Sequence, residues 1–407
     1  MSDALIHDCA CVGAGIVGMT AALALAELGY RVAVIEPNQD TIELPPPYDP
    51  RSYAITEASI NVFTNLGVWP LLDGDRNADI LSMQVWDGSS KGGIDFSPER
   101  VFASRFGVIT EHANLAHALD GKITNHPRIQ TYHSGVTELS SVKDGRWLQL
   151  TDGTALNVGL VVCADGSRSK MRSLLGLEAS EKSYNQRALV CNIESTEPHD
   201  NIARQVFLPG GPLAFLPLAH PNQSAIVWTN DEHRCGELMV NSDQSLAAAV
   251  EQAIGYRLGA IKVVSKRFDF PLHKMHVHRY DAERAVLVGD AAHVVHPLAG
   301  QGLNLGIMDV ATLANTLAPS NLVGGLGSAR LPAALRRYSR CRAHENGLML
   351  RVTDALNSLF SRRESLTRSV RGLGLNLVGK TPPLMDLFTR HALGYGGETP
   401  PLARPAT

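Results

Sequence analysis

A carboxylate and three glycines stand close together in the segment 285–304, just after an apolar run that predicts a buried strand. Gly289 and Asp290 follow this run, and a His-Pro turn leads to Gly300 and Gly302 at the start of a predicted helix. The first N–H groups of a helix are unpaired and stabilise an anion placed before them. Glycine lets a ligand approach that backbone closely. The carboxylate could accept hydrogen bonds from sugar-like hydroxyls, and the helix N-terminus could stabilise a ring that accumulates negative charge. Together they favour a reduced flavin as the ligand over a turn that binds no ligand.

A second pattern, G-x-G-x-x-G, lies between a predicted strand and a predicted helix of small residues near the N-terminus. In this pattern Gly13 makes the tight turn, Gly15 admits a pyrophosphate and Gly18 allows close helix packing. The next predicted strand ends at Glu36, near the ~20-residue offset at which an acid binds a ribose hydroxyl. The pattern predicts a dinucleotide, NAD or FAD, and Glu36 disfavours a 2′-phosphate.

A third carboxylate follows the strand predicted over 159–163. Asp165 and Gly166 stand where this apolar run stops, which again places an acid at the rim of a sheet. An ordinary turn gives the same local pattern, so this segment alone does not predict a ligand.

These three motifs, in this order, resemble the FAD-dependent aromatic hydroxylases, the single-component flavoprotein monooxygenases typified by para-hydroxybenzoate hydroxylase. The segments 211–218, 255–259, 351–361 and 372–394 are similar to the ubiquinone-biosynthesis branch, and most of all to 2-polyprenyl-6-methoxyphenol hydroxylases. The similarity runs over essentially the whole chain.

The resemblance implies which residues bind FAD. The glycine loop would meet the pyrophosphate, Glu36 the adenosine ribose and Asp290 the ribityl side, and Asp165 would serve FAD and, indirectly, the nicotinamide donor. Arg51 matches a family arginine, although this chain has Asp49-Pro50-Arg51 where relatives usually carry Asp-Gly-Arg. The residues so assigned are Gly13, Ala14, Gly15, Ile16, Val17, Gly18, Glu36, Arg51, Val136, Asp165, Gly289, Asp290, Pro297, Gly300, Gly302, Leu303 and Asn304.

The resemblance also implies an α/β fold with a discontinuous Rossmann-like FAD-binding domain, an inserted antiparallel-sheet substrate domain and a helical C-terminal region. Alternating apolar segments between 186 and 270 independently predict a strand-rich insert, with one clear helix at 242–255. The expected boundaries are 1–75, 100–185 and 271–332 for the FAD-binding domain, 76–99 and 186–270 for the substrate domain, 333–398 for the helical region, and 399–407 for a disordered tail.

The activity implied is hydroxylation of a polyprenylated phenol in ubiquinone biosynthesis, with NAD(P)H as electron donor, O2 as co-substrate and no assigned catalytic side chain. A cytoplasmic protein, peripheral on the inner membrane and associated with a ubiquinone-biosynthesis complex, is expected. The alternatives are a sister ring hydroxylase, another FAD enzyme of the same fold, or a FAD-loaded assembly component. A halogenase is disfavoured because halogenases carry a Trp-x-Trp-x-Ile-Pro signature, whereas the four tryptophans of this chain stand far apart in the sequence.

Histidines offer two further groups. His273, His276 and His278 have metal-like spacing, but no acid or thiol cluster completes a site, and a strand would turn His273 away from the other two. No metal is expected. His293 and His296 lie inside the flavin motif, where structural roles are favoured over a general base.

Composition sets the remaining bounds. The 407 residues are 44% hydrophobic and 19% charged, which describes a globular protein of two or three packed units. A net charge of −3 gives no reason to expect nucleic acid. The six dispersed cysteines indicate buried thiols in a reducing compartment. The sequence shows no signal peptide and no apolar run of ~20 residues.

The region 333–380 is basic, with ten Lys or Arg against three acids. Within it Met349, Val352 and Leu356 recur at helical spacing together with Leu359 and Phe360. One interpretation is an amphipathic helix that packs on the FAD-binding domain and leaves a solvated basic face. The other adds a basic, apolar-edged surface that docks on anionic lipid and admits a prenylated substrate.

Overall fold

The computed structural model describes residues 7–38, 44, 49, 51–89, 92–296, 300–361 and 381–405. Pro297, which the resemblance assigns to the cofactor, lies outside the described residues. The same holds for 362–380, the second half of the predicted basic region, and for the side chains of Leu359 and Phe360.

The strands, in chain order, are β1 (His7–Val12), β2 (Val32–Ile35), β3 (Ser52–Thr56), β4 (Asn77–Ile80), β5 (Ser82–Asp87), β6 (Gly93–Phe96), β7 (Gly107–Glu111), β8 (Ile129–Tyr132), β9 (Val136–Val142), β10 (Gly145–Leu150), β11 (Ala155–Cys163), β12 (Ala179–Ser195), β13 (Ile202–Leu208), β14 (Gly211–Pro217), β15 (Gln223–Asp231), β16 (Ile261–Val263), β17 (Phe268–Val277), β18 (Asp281–Ala282), β19 (Ala285–Leu287) and β20 (His293–Val294). The helices are α1 (Ile16–Glu27), α2 (Glu57–Asn65), α3 (His112–Thr124), α4 (Lys170–Leu174), α5 (Glu232–Val240), α6 (Asp243–Ile254), α7 (Gln301–Leu317), α8 (Leu331–Ser361) and α9 (Pro382–Ala392).

The first sheet has the strand order β18-β19-β11-β1-β2-β8, and the five strands from β19 to β8 are parallel. An antiparallel pair, β9 and β10, extends it from β11. Strand β2 is buried along its whole length, as expected for a parallel sheet covered on both faces. Helix α1 connects β1 to β2 and packs on α3 and α7. This β-α-β unit carries the predicted dinucleotide pattern.

The second sheet, which we call the platform sheet, has the order β20-β17-β12-β15-β14-β13-β5-β6, with β16 beside β12. Its pairs are antiparallel except β13 with β5. One face is fully buried against α5 and α6, through residues such as Leu189, Cys191 and Phe215. A small third sheet, β3-β7-β4, is antiparallel.

The predicted fold class is confirmed: a Rossmann-like parallel sheet, an inserted antiparallel sheet and C-terminal helices. The expectation of one helix in the insert is wrong, because α5 precedes α6. Only Cys235 and Leu238 are buried on α5, too few to give a recognisable helical period. In the described residues, no helix has the length and apolar character needed to cross a membrane. The exact domain boundaries stay a prediction.

The prediction of a disordered tail from Thr399 is also wrong. Ala403 is fully buried and lies in a short turn that packs against α2 and α7. The side-chain amide of Asn61 donates to the Ala403 carbonyl, and that of Asn65 donates to the carbonyls of Leu402 and Arg404. The partners of the tail are therefore remote in sequence, and a local reading of its Pro-rich composition does not reveal them.

Candidate functional site

The three predicted motifs meet because their strands end in one row. In the parallel sheet Val12 pairs with Ile35 on one side and with Cys163 on the other, and Cys163 pairs with Leu287. Glu36, the glycine loop, Asp165 and Gly289 follow these strand ends and therefore lie at the same edge. Ligands of open parallel sheets bind outside the carboxyl ends of the strands, at such an edge.

The glycine loop shows a different constraint at each of its three positions. Gly13 has a φ of +103°, and a Cβ there would lie 2.4 Å from the carbonyl oxygen of Ala164. A Cβ at Gly18 would lie 2.0 Å from the carbonyl oxygen of Gly13, so this glycine allows the helix to pack on the turn. At Gly15 nothing lies within 4 Å of the Cβ position. The open position is the one that the pattern reserves for a pyrophosphate.

Glu36 anchors the second strand end to the glycine loop. Its Oε2 accepts a hydrogen bond of 2.9 Å from the backbone N–H of Ala14, and its Oε1 accepts one from Asn38. Ile16 and Gly18 of α1 are buried, whereas Ala14 is only partly so. The carboxylate therefore lies beside the helix N-terminus, where a nucleotide ribose would have to bind.

Asp165 has a structural role in the same region. Its carboxylate accepts a hydrogen bond of 2.5 Å from the Ser169 hydroxyl and one of 2.9 Å from the N–H of Met171. Both oxygens therefore stabilise the start of α4. The loop that carries Asp165 is also the backbone that Gly13 approaches closely. Asp165 therefore stabilises the loop on which the glycine turn packs, and its contact with a cofactor stays a prediction.

Gly289, which precedes Asp290, packs against α1 through Val17. A Cβ at Gly289, which has a φ of +59°, would lie 3.1 Å from Val17 Cγ1, and one at Gly306 would lie 2.8 Å from Val17 Cγ2. The side chain of Asp290 reaches solvent. Burial among surrounding protein nevertheless raises its pKa, while His293 and His273 oppose this shift. A carboxylate in this setting gains from hydroxyl donors.

The N-terminus of α7 is held in place by Asn304. Gly300 caps the helix in the left-handed conformation, with a φ of +61°. The amide of Asn304 donates to the carbonyls of Ala54 and Gly300 at 2.8 and 3.2 Å, and its oxygen accepts from the N–H of Thr56 at 3.0 Å. Asn304 thus joins β3 to the helix start. A Cβ at Gly302 would meet only Val295, at 3.8 Å, and Leu303 is half-buried.

A buried network centred on Asp309 fixes the strand-to-helix segment, and the sequence analysis did not identify it. Asp309 is fully buried and accepts from His293 Nε2 at 2.6 Å, from the N–H of Gly289 at 3.0 Å and from Arg342 Nε at 2.7 Å. Asn346 donates to it at 3.0 Å. Burial opposes its ionisation, but His293 and Arg342 hold the pKa of Asp309 at about 2. The sequence signal that could have indicated this network is a single acid, Asp309, in an otherwise largely apolar segment that predicts a helix.

Two assigned residues lie at the margin of the site. Arg51 forms a two-pronged pair with Asp49, with Nε–Oδ1 and Nη2–Oδ2 distances of 3.1 Å, and its side chain is 66% exposed. Val136 is buried at the start of β9, opposite Leu150. Contacts of either residue with a cofactor stay a prediction.

Much of the platform face opposite α5 and α6 is apolar and half-buried, although Ala225 and Asn192 within it are buried. Neighbouring strands align Gln205, Ala214, Val227 and Val190 in one row and Met83, Ala203, Leu216, Ala225 and Asn192 in the next. Leu216 and Met83 pack in one cluster with Ala54, and Ala54 lies 3.4 Å from the Cβ position of Gly300. The half-exposed face is therefore adjacent to the N-terminus of α7.

The residues present fit FAD. The open position at Gly15 beside a helix N-terminus suits a pyrophosphate, and Asp290 and the start of α7 supply a carboxylate and unpaired N–H groups farther along the same edge. Among the described residues, no group of His, Cys, Asp and Glu is arranged to hold a metal ion.

Comparison with known proteins identifies the class. A family described as FAD binding domain matches residues 7–344, and the chain therefore belongs to this family of FAD-dependent hydroxylases. The chain is 36% identical over 403 residues to the ubiquinone hydroxylase UbiL of Rhodospirillum rubrum, an alignment that covers 98% of this chain and 93% of that one.

Two further comparisons agree. The chain is 30% identical to the 3-demethoxyubiquinol 3-hydroxylase of Escherichia coli, covering 95% of this chain and 98% of that one. The p-nitrophenol 4-monooxygenase PnpA of Pseudomonas putida shares the fold, with a TM-score of 0.76 at 19% identity, covering 97% and 99% of the two chains. The resemblance to the ubiquinone-biosynthesis branch is confirmed.

Proposed function

We propose that the protein hydroxylates the ring of a polyprenylated phenol, 2-polyprenyl-6-methoxyphenol, on the route to ubiquinone. The observation that carries the proposal is the platform face, whose small and apolar side chains stand half-exposed beside the N-terminus of α7. Alanines at 203 and 214 leave room for a flat ring, and Met83, Val190 and Leu216 supply apolar surface for its prenyl substituent. A face of this kind suits a lipid-like phenol better than a charged substrate.

The chain's own residues would bind FAD, orient the substrate ring and exclude water. The glycine loop and Glu36 would hold the nucleotide half of FAD, and Asp290 the ribityl hydroxyls. The N–H groups after Gly300 would face the ring, where they stabilise negative charge. Bound FAD would supply the oxygen-transfer chemistry, with NAD(P)H as electron donor and O2 as co-substrate. No protein base is assigned to the reaction.

A second substrate has a specific observation in its favour. The Escherichia coli relative is named a 3-demethoxyubiquinol 3-hydroxylase. The main alternative is therefore that this protein catalyses another ring hydroxylation of the same pathway. Removal of the gene separates the two. The proposal expects a 2-polyprenyl-6-methoxyphenol to accumulate, whereas accumulation of a demethoxyquinol would assign the protein to the sister step.

We further propose that the protein binds the inner membrane from the cytoplasm, where a polyprenyl phenol resides. Phe102 is 99% exposed at the end of a turn that packs against α9, and Arg100 of this turn pairs with Asp386. Leu387 and Phe388 of α9 are exposed as well. Apolar side chains beside basic ones are typical of a surface that docks on anionic lipid. We call Phe102, Leu387 and Phe388 the apolar edge.

Association with a ubiquinone-biosynthesis complex is consistent with this location, and a FAD-loaded assembly component without activity is the alternative from a different class. The two are distinguished by whether the purified holoprotein forms product. A scaffold would form none.

A further inference from the structure

His296 is buried without a hydrogen-bond partner. Its side chain is 1% exposed, and neither ring nitrogen has a partner among the described residues. A neutral imidazole carries one donor and one acceptor, and leaving both unpaired in the interior is unfavourable. Buried polar groups of this kind call for an explanation, such as a ligand that completes them.

The position of His296 places it between the flavin motif and the platform sheet. The preceding residue, Val295, is directed to α7, because it is the residue that a Cβ at Gly302 would approach. His296 instead packs edge-on against Tyr184 of β12, with ring centroids 5.0 Å apart and an interplanar angle of 76°. Its ring therefore faces β12 of the platform sheet rather than α7.

Neighbouring polar groups do not satisfy His296 because they are paired with one another. The Tyr184 hydroxyl donates to Asp354 Oδ1 at 2.8 Å, and the other oxygen of Asp354 pairs with Lys274. One turn farther along α8, Asn357 donates to the side-chain Oε1 of Gln186 at 3.2 Å. The polar side chains of Tyr184 and Asp354 are thus paired with other groups, and the imidazole is left for another partner.

The electrostatic setting keeps this imidazole neutral. Burial lowers the pKa of His296 to about 4, although Asp354 acts in the opposite direction. A neutral ring at physiological pH has a nitrogen lone pair that accepts a hydrogen bond from a hydroxyl. A group so difficult to protonate is better suited to orienting a phenol than to removing its proton.

We propose that His296 binds the substrate phenol by accepting a hydrogen bond from the ring hydroxyl. This inference rests on the proposed function and adds a residue that orients the ring. The second nitrogen points away from the first, so one hydroxyl satisfies only one of them, and we assign water to the other.

The test compares two ligands on the FAD-loaded protein by equilibrium dialysis. One is a short-chain 2-prenyl-6-methoxyphenol, and the other is the same molecule with hydrogen in place of the hydroxyl. The wild-type protein should bind the phenol roughly fivefold to tenfold more tightly, as expected for one neutral hydrogen bond. In His296→Leu this preference should disappear, with both dissociation constants within about twofold of each other.

Two further variants make the result decisive. His233→Leu removes an exposed histidine on α5 and should retain the full preference. His296→Phe also lacks both ring nitrogens and serves if the leucine variant does not fold, although loss of an unpaired buried polar group should leave folding intact. If the wild-type protein hydroxylates the phenol while His296→Leu keeps the wild-type preference, the inference alone is overturned. If the wild-type protein neither binds nor hydroxylates the phenol, the proposed function fails with it.

Discussion

Gly15 differs from Gly13 and Gly18 in what surrounds it. The other two glycines are required by the fold, because a Cβ at either would overlap a backbone oxygen. At Gly15 the space is open, so a side chain there would not disturb the folded chain. A substitution at this position can therefore separate cofactor binding from folding.

We predict that Gly15→Val folds with the wild-type thermal midpoint in the absence of FAD but binds FAD at least about tenfold more weakly, because a side chain would fill the space of the pyrophosphate. The flavin-to-protein ratio after purification and a titration with FAD measure this. Gly121→Val in α3 is the matched control, since nothing lies within 4 Å of its Cβ position either. Wild-type FAD affinity in Gly15→Val would show that the pyrophosphate binds elsewhere.

At the scale of elements, α7 and α8 are joined by charge as well as by apolar packing. Leu331, Leu335 and Tyr338 of α8 are buried in one core with residues of α7. Farther along, the buried face of α8 includes Arg342, Asn346, Thr353 and Asn357, whereas Val352, part of the predicted apolar stripe, is 39% exposed. Arg342 and Asn346 both donate to Asp309 of α7. Because Asp309 also binds His293 and Gly289, the two helices and the strand-to-helix segment form one unit.

We predict that Asp309→Asn lowers the free energy of unfolding by about 3 kcal/mol at pH 7, because it leaves the buried Arg342 charge uncompensated. The folded pKa of Asp309, about 2, lies below the ordinary value of 3.8 for an aspartate. The stabilisation from its charge is therefore complete above the unfolded pKa and is lost as the pH falls from 3.8 towards 2. The deficit of the variant should shrink over that window.

Denaturant unfolding at several pH values checks this prediction. Asp386→Asn removes one partner of the exposed pair with Arg100 and should cost less than about 1 kcal/mol at any pH. A deficit for Asp309→Asn that is small at pH 7, or that grows in acid, would contradict the role assigned to the network.

The parts of the fold that the sequence predicts are those with local signals. Strand β1, the glycine turn and α1 follow from an apolar run, fixed glycine spacing and a helical stretch of small residues, and parallel pairing brings Asp165 and Gly289 to the same edge. The Asp309 network and the buried tail have no such signal. In the sequence, Arg342 is one of several charges in a basic helix and Ala403 is part of a Pro-rich end. Their partners, Asp309 and Asn61, are remote in sequence and become neighbours only in the folded chain.

At the scale of the whole molecule, the site lies where two sheets meet. Strand β20, which belongs to the flavin motif, pairs with β17 of the platform sheet, so the two parts are joined by hydrogen bonds close to the site. The half-exposed platform face and the start of α7 are thereby held next to each other. Under the proposed function, the apolar edge at Phe102, Leu387 and Phe388 would bring this site to the membrane.

We predict that the protein floats with anionic liposomes at low salt and that Phe102→Asn reduces the bound fraction roughly fivefold or more, because it removes one fully exposed aromatic side chain from the bilayer. Asparagine tolerates the left-handed conformation of this residue, whose φ is 61°, so folding should be unaffected. Val240→Asn alters an exposed apolar residue on α5 and should bind as the wild type does. Failure of the wild-type protein to float would remove the membrane proposal.

The most direct test of the central claim is oxygen incorporation by the purified FAD-loaded protein. The protein is supplied with a short-chain 2-prenyl-6-methoxyphenol, NADH or NADPH, and isotopically heavy O2, and the product is analysed by mass spectrometry. We expect one heavy oxygen atom on the aromatic ring. Oxidation of the nicotinamide without a ring oxygen, or no reaction while the demethoxyquinol is hydroxylated, would contradict the proposed function.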